Sequence, residues 1–173
     1  ITGQNVQPSI SDVEKTISIA IDSLKDKSKI SEIAFFGGSF TAINRKYMIE
    51  LLDTANKYVK EKIFKGIRIS TRPDAIDDEI LTILKEKGVT SIELGAQSMD
   101  ENVLLLNSRG HSPQDVINAS NLIKSYGFSL GLQMMTGLYG SNYDIDYSTG
   151  LKLAILKPDT VRIYPTIIMK NTE

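Results

Sequence analysis

The chain of 173 residues has no cysteine and a single histidine. Without cysteine there is no disulfide framework, no thiolate metal site and no cysteine nucleophile. A lone histidine excludes a histidine-pair metal site. A Ser-His-Asp triad would have to use His111, which sits in an Arg-Gly-His-Ser loop, and no Gly-x-Ser-x-Gly elbow occurs. His111 therefore reads as a helix-start or ligand-adjacent loop residue. Charge of one sign is also lacking: the net charge is −1. There is no basic excess to bind nucleic acid over a broad surface, which leaves only a local basic site for that purpose. No apolar run approaches the roughly 20 residues of a membrane span. The N-terminus lacks the basic, apolar and small-residue succession of a signal peptide. A cytoplasmic protein is in keeping with these absences. Linkers and low-complexity tracts are missing too, so residues 1–173 are expected to form one domain. The start at Ile1 and the stop at Glu173, soon after a strand-like run, read as the ends of a fragment of a longer protein.

What is present is an alternation of helix and strand, in a chain that is 41% hydrophobic. Residues 12–26 repeat Val13, Ile17, Ala20, Ile21 and Leu24 at helical spacing, with Ser11 or Asp12 as the cap. Residues 32–36 read as a buried strand stopped by Gly37-Gly38, and 45–62 as a helix. Residues 66–71 are a strand ended before Pro73. Residues 77–87 are a helix capped by Asp77, with Gly88 after its end. A strand at 90–96 and a short helix over Asp100 to Leu106 follow. Ser112-Pro113 opens a further helix, which Gly127 closes. Residues 128–135 are a strand, 143–156 a helix interrupted by Gly150, and 160–164 a last strand ended by Pro165. Such alternation predicts parallel strands joined by right-handed helical crossovers, either as an open doubly wound sheet or as a (βα) barrel.

The strands favour the barrel. An open parallel sheet is covered on both faces and its strands are apolar throughout. Here Ile67 and Ile69 oppose Arg68, Ser70 and Arg72. Ile92, Leu94 and Ala96 oppose Ser91, Glu93, Gly95 and Gln97. Leu130, Leu132 and Met134 oppose Ser129, Gly131 and Gln133, and Val161 and Ile163 oppose Arg162 and Tyr164. One face is expected to pack on helices and the other to line a polar lumen, where Arg68, Glu93 and Arg162 pair with one another.

In parallel α/β proteins ligands bind at the C-terminal strand ends. Those ends carry Gly37-Gly38-Ser39, Ser70-Thr71-Arg72-Pro73-Asp74, Gln97-Ser98, Thr136-Gly137 and Tyr164-Pro165. Gly37-Gly38 allows close backbone approach to a ligand, although alone it is an ordinary strand-to-helix turn. No Gly-Lys-Ser/Thr follows, so it is not a phosphate-binding Walker loop. Arg72 and Arg109 can each grip a carboxylate through two parallel hydrogen bonds. Gln97 offers an amide to sugar hydroxyls. Each of these, taken singly, also reads as an ordinary surface or wall residue.

Together the motifs resemble the radical-SAM superfamily. Phe35-Phe36-Gly37-Gly38-Ser39-Phe40-Thr41 resembles the glycine-rich motif that contacts the methionine amino group of S-adenosylmethionine (SAM). Ser70-Thr71-Arg72-Pro73-Asp74 resembles the corresponding strand end of the elongator catalytic subunit and its bacterial relatives. Ile92-Glu93-Leu94-Gly95-Ala96-Gln97-Ser98 with Asn107-Ser108-Arg109-Gly110-His111 resembles a motif shared with oxygen-independent coproporphyrinogen III oxidase. There the glutamine reaches the ribose and the arginine binds the SAM carboxylate. Met134-Met135-Thr136-Gly137-Leu138 resembles the next strand's motif. Arg162-Ile163-Tyr164-Pro165-Thr166 and Asn171-Thr172-Glu173 resemble the sixth-strand end of the elongator-type group.

The resemblance implies a partial (βα)6 TIM-like radical-SAM barrel holding strands two to six, the first being missing and leaving an exposed strand edge that invites self-association. It implies a parent enzyme that uses a [4Fe–4S] cluster to cleave SAM and generate a 5′-deoxyadenosyl radical. The cofactor-binding residues it implies are Gly37, Gly38, Ser39, Ser70, Arg72, Gln97, Arg109, Gln133 and Tyr164, the last through backbone beside adenine. The family's Cys-x3-Cys-x2-Cys loop is absent, and by register would precede Ile1, so this fragment is expected to hold no cluster and to be inactive by itself. Ser39 stands where many members have an acidic residue, and Gln133 where relatives have an aspartate near the ribose. The substrate is a transfer RNA on the elongator-like reading, or a tetrapyrrole on the coproporphyrinogen-oxidase-like reading, which the lumen arginines suit. A cluster-free nucleotide- or SAM-binding module is a further alternative. A sugar- or phosphate-processing barrel would need acid/base residues at strand ends, and Glu93 lies too deep in its strand.

Overall fold

The computed structural model describes residues 7–167. Helices and strands alternate: α1 (Ile10–Leu24), β1 (Glu32–Phe35), α2 (Arg45–Lys60), β2 (Gly66–Thr71), α3 (Asp78–Glu86), β3 (Val89–Gln97), α4 (Glu101–Leu106), α5 (Pro113–Ser125), β4 (Ser129–Thr136), α6 (Tyr143–Ile155) and β5 (Thr160–Pro165). Short 3-10 segments at Lys25–Ile30, Phe40–Ala42 and Pro73–Ala75 add to the predicted elements. Segments this short leave no periodic signature in the sequence. Asn171-Thr172-Glu173 lies outside the described residues.

Each of these α-helices starts on a short polar side chain that accepts a hydrogen bond from the backbone N–H three residues on. The caps are Ser9, Asn44, Asp77, Asp100, Ser112 and Asn142. Such a cap satisfies one of the orphan donors of the first turn, at about 1 kcal/mol. In α1 the cap is Ser9, two residues before the expected Ser11. Asp12 sits at the third helical position and returns a bond to the Ser9 N–H, which closes a capping box. Ser112 and Asp115 form the same box, with Pro113 at the first position, where its missing N–H costs nothing.

The strands belong to one sheet in the order β1-β2-β3-β4-β5. β1 and β2 are parallel, with Glu32 opposite Gly66. So are β4 and β5, with Gln133 opposite Arg162. The chain divides into two compact units. One holds residues up to Thr71 together with Ala75–Ile92, and the other holds Arg72–Asp74 together with residues from Glu93 on.

In the first unit, Met48, Leu52 and Ala55 of α2, Ile67 and Ile69 of β2, and Leu81 and Leu84 of α3 are fully buried. α1 contributes less than its pattern predicts: Ile17 is buried, while Val13, Ala20, Ile21 and Leu24 are half-buried. In the second unit the core is Leu94 and Ala96 of β3, Val116 and Ile123 of α5, Leu130 and Leu132 of β4, and Leu153 of α6. From β2 to β4 the alternating apolar strand residues are therefore packed, as the alternation predicts. β1, expected to be a buried strand, is not: Ile33 and Phe35 are half-buried, and Ala34 and Phe36 are exposed, because the 3-10 segment and glycine loop around it cover it incompletely. β5 departs from the expectation. Val161 and Ile163 are 47% and 61% exposed, because β5 is an edge strand and no helix follows it among the described residues. No helix of the described residues is long and apolar enough to cross a membrane.

Candidate functional site

In the first unit the glycine-rich loop leaves β1. Gly37 and Gly38 have φ of 102° and 79°, a region that residues with a Cβ rarely adopt. A Cβ built on either would meet nothing within 4 Å, so both face open space. The loop is closed at its base. The rings of Phe35 and Phe40 stack with centroids 4.9 Å apart. Buried Thr41 and Thr71 share a 2.6 Å hydroxyl bond, and Thr41 Oγ1 donates to the Ala75 carbonyl at 2.7 Å. These clamping residues are not distinguished by periodicity. Phe35, Phe40 and Thr41 lie inside the glycine motif, which was the signal available. Ser39 starts the turn Phe40–Ala42 with no side-chain cap bond, and Ser70 is half-buried on β2.

Arg68 pairs with Glu32. Its Nε and Nη2 donate to Glu32 Oε2 at 2.9 and 2.6 Å. Ser91 and Thr90 hydroxyls donate to Glu32 Oε1 at 2.7 and 2.8 Å. The register decides this, since Arg68 lies opposite Ala34 and reaches back one pleat to Glu32. Burial pushes the Glu32 carboxyl up, but the hydrogen bonds from Ser91, Thr90 and Arg68 outweigh it, and its pKa lies below the ordinary 4.5.

In the second unit, Arg72 is engaged by Asp74. Arg72 Nε donates to Asp74 Oδ1 at 2.6 Å, and Nη2 bonds the other carboxylate oxygen. This hydrogen bond is the main cause that lowers the Asp74 pKa and raises that of Arg72. Gly110 packs against the pair: a Cβ there would stand 3.0 Å from Arg72 Nη2 and displace the tip of that side chain by a few tenths of an ångström. His111 is buried, its Nε2 3.0 Å from the Ala96 carbonyl, and so ties the 107–111 loop to β3. Arg109 is exposed, with no carboxylate at ion-pair distance among the described residues. Its Nη2 lies 3.7 Å from Met135 Sδ. Gln97 ends β3 at φ 64°, a left-handed conformation that costs a side-chain-bearing residue on the order of 1 kcal/mol. Its amide has no hydrogen-bond partner among the described residues.

Glu93 is 1% exposed and doubly held. Arg162 Nη2 lies 3.0 Å from Oε1, and Gln133 Nε2 donates to Oε2 at 2.7 Å. The Glu93–Arg162 pair is one of the contacts expected of the lumen. Tyr164, opposite Met135 in the ladder, is 42% exposed. A cavity of about 200 Å³ lies elsewhere in this unit, among Met99, Asp100, Asn142, Ser148 and Lys152, and none of the predicted site residues lines it.

Two chemical requirements can be tested on these residues. In the second unit the uncompensated Arg109 guanidinium and the unpartnered Gln97 amide offer donors for a carboxylate and for hydroxyl groups. An iron–sulfur cluster does not fit, since the chain has no thiolate and the described residues contain no group of three metal-ligating side chains.

The fold and strand-end residues define a SAM-type (βα) domain, and comparison supports this. A model of the Radical SAM superfamily matches residues 6–146. The chain belongs to the radical SAM superfamily. It is 28% identical over 162 residues to the tRNA uridine(34) acetyltransferase of Methanocaldococcus infernus, covering 82% of this chain and 30% of that one. It is 32% identical over 161 residues to human Elongator complex protein 3, covering 82% and 29%. Among solved structures, the archaeal M. infernus Elp3 with an N-terminal deletion matches at TM-score 0.77 and 27% identity, covering 94% of this chain and 43% of that one. Coproporphyrinogen III oxidase from Escherichia coli matches in fold at TM-score 0.67 and 20% identity, covering 96% and 40%. The chain thus fits the elongator and coproporphyrinogen-oxidase-like group, and its five strands are part of a TIM-like radical-SAM barrel. It spans about 30% of the length of the curated relatives it matches.

Proposed function

We propose that this chain is the SAM-holding core of an elongator-type radical-SAM enzyme. The observation that carries the reading is the block from Gln97 to Arg109, in which one strained, unpartnered amide and one uncompensated guanidinium stand at the end of β3. Arg109 binds the carboxylate of SAM bidentately. Gln97 and Gln133 hold the ribose hydroxyls, and backbone at Tyr164 borders the adenine. Gly37 and Gly38, with Ser39, receive the methionine amino group on bare backbone. Ser70 belongs to the same set. Arg72, already matched by Asp74, orients the loop bearing Gly110 and is the least available of the predicted contacts.

A [4Fe–4S] cluster, for which this chain has no thiolate, would supply the electron for reductive cleavage of SAM in the radical-SAM reaction. These residues bind and orient SAM and exclude water from it. The substrate of the whole protein is a transfer-RNA uridine, as the name of the archaeal relative indicates for that protein, and its setting is cytoplasmic. The tetrapyrrole reading loses the feature that favoured it, because Arg68, Arg72 and Arg162 each face a carboxylate of the chain. A second copy is the proposed partner along β1, which is terminal in the sheet.

The test is titration calorimetry of the chain with SAM. Wild type is expected to bind. Arg109→Ala should bind at least about tenfold more weakly, the worth of a charge-assisted pair, with an unchanged melting temperature. Equal affinity in the two proteins would remove Arg109 from the site and the reading with it.

A further inference from the structure

We infer that Glu93 is a positioning residue that fixes the polarity of the Gln133 amide, so that Gln133 presents only its carbonyl oxygen to a ligand and selects for hydroxyl donors. The inference rests on the reading of Gln133 as a sugar contact.

Glu93 lies on β3, 1% exposed. A carboxylate paired with a guanidinium has only acceptor oxygens to offer. One faces Arg162 Nη2 at 3.0 Å, and the other takes Gln133 Nε2 at 2.7 Å. The amide therefore cannot turn over without setting its oxygen against a carboxylate oxygen, which two acceptors do not tolerate. With the NH2 turned inward, the carbonyl oxygen is the half of Gln133 that remains for a ligand. A free glutamine offers both polarities, whereas this one offers one. It acts as an uncharged acceptor and accepts from an O–H while giving nothing to an anionic oxygen. A carboxylate at position 133 would stand as a like charge at hydrogen-bond distance from Glu93, so the neutral amide is the acceptor that this neighbour permits.

The neighbouring backbone is shaped to allow this. Gly131, two residues before Gln133 and on the same strand face, has no side chain. A Cβ there would be 2.7 Å from Glu93 Cγ and 3.0 Å from Thr160 Oγ1. The absence of that atom gives the Glu93 side chain its path across β4 toward Gln133 and Arg162, which are opposite one another in the ladder.

The experiment measures the affinity of the chain for SAM, adenosine, 2′-deoxyadenosine and 3′-deoxyadenosine by calorimetry, in wild type, Glu93→Gln and Gln133→Leu. In wild type, one of the two deoxynucleosides should bind about fivefold more weakly than adenosine, the worth of one neutral hydrogen bond. In Glu93→Gln the amide is free to turn, and that ratio should fall to within about twofold, while adenosine itself still binds. A merely structural Glu93 would weaken all nucleosides together and leave the ratio unchanged, and that result overturns the inference while the SAM reading stands. If Glu93→Gln fails to fold, Gln133→Leu, which retains the Glu93–Arg162 pair, decides: undiminished discrimination there overturns the inference, and its loss supports it. A wild type that binds neither SAM nor adenosine would overturn the SAM reading and this inference together.

Discussion

At the scale of single residues, the carboxylates of Glu32, Glu93 and Asp74 are matched, within the sheet for Glu32 and Glu93 and at the surface for Asp74. Glu32 collects Arg68, Ser91 and Thr90, Asp74 collects Arg72, and Glu93 collects Arg162 and Gln133. Removing one partner from such a set leaves a charge or dipole without compensation, which is why these positions are sensitive. The sign of the acid response follows. Glu32 and Asp74 have pKa values below their ordinary ones, so the unfolded chain binds more protons than the folded chain. Their stabilisation is complete above the ordinary values and is lost as pH falls through the lowered ones. Chemical denaturation at stepped pH is expected to show stability falling below about pH 4.5, and Glu32→Gln should flatten part of that fall. A variant with the wild-type slope would count against Glu32 as a contributor.

At the scale of elements, polar caps and apolar stripes define each helix, and the strand ends carry the chemistry. Ser112 caps α5 and receives Asp115 in return, directly after the loop that holds Arg109 and His111. Ser112→Ala should cost about 1 kcal/mol in urea denaturation. Because α5 follows that loop immediately, the same change should also weaken SAM binding by a few-fold, roughly a 0.5–1 kcal/mol effect. Loss of stability with full SAM affinity would separate the cap from the site. Elements with several turns were legible in the sequence because their period of 3.6 or 2 repeats often enough to be read. The 3-10 segments Lys25–Ile30, Phe40–Ala42 and Pro73–Ala75 were not, since one or two turns are too short to show a period.

At the scale of the whole chain, the sheet has β1 at one end of its order and β5 at the other, and β5 exposes apolar Val161 and Ile163. Unpaired strand edges are templates for further pairing. Sedimentation equilibrium at high protein concentration is therefore expected to detect self-association, and a strictly monomeric profile would refute it. Anaerobic treatment with iron and sulfide is expected to produce no iron–sulfur absorption, because the 173 residues contain no cysteine. A stoichiometric cluster would mean that other side chains hold it.

By itself the sequence determined the alternation of helix and strand, which strand face packs on helices from β2 to β4, and the order of the glycine, glutamine and arginine motifs along the chain. Those are local or periodic properties, and composition, spacing and turn chemistry encode them. Only the tertiary structure decided which partner each charge takes. Arg68 meets Glu32, because strand register, not sequence separation, sets which side chains meet. The same cause put Gln133 against Glu93 and left Arg109 without a carboxylate partner among the described residues. It also left the apolar face of β5 uncovered, since burial depends on what packs against a strand and not on the strand's own residues.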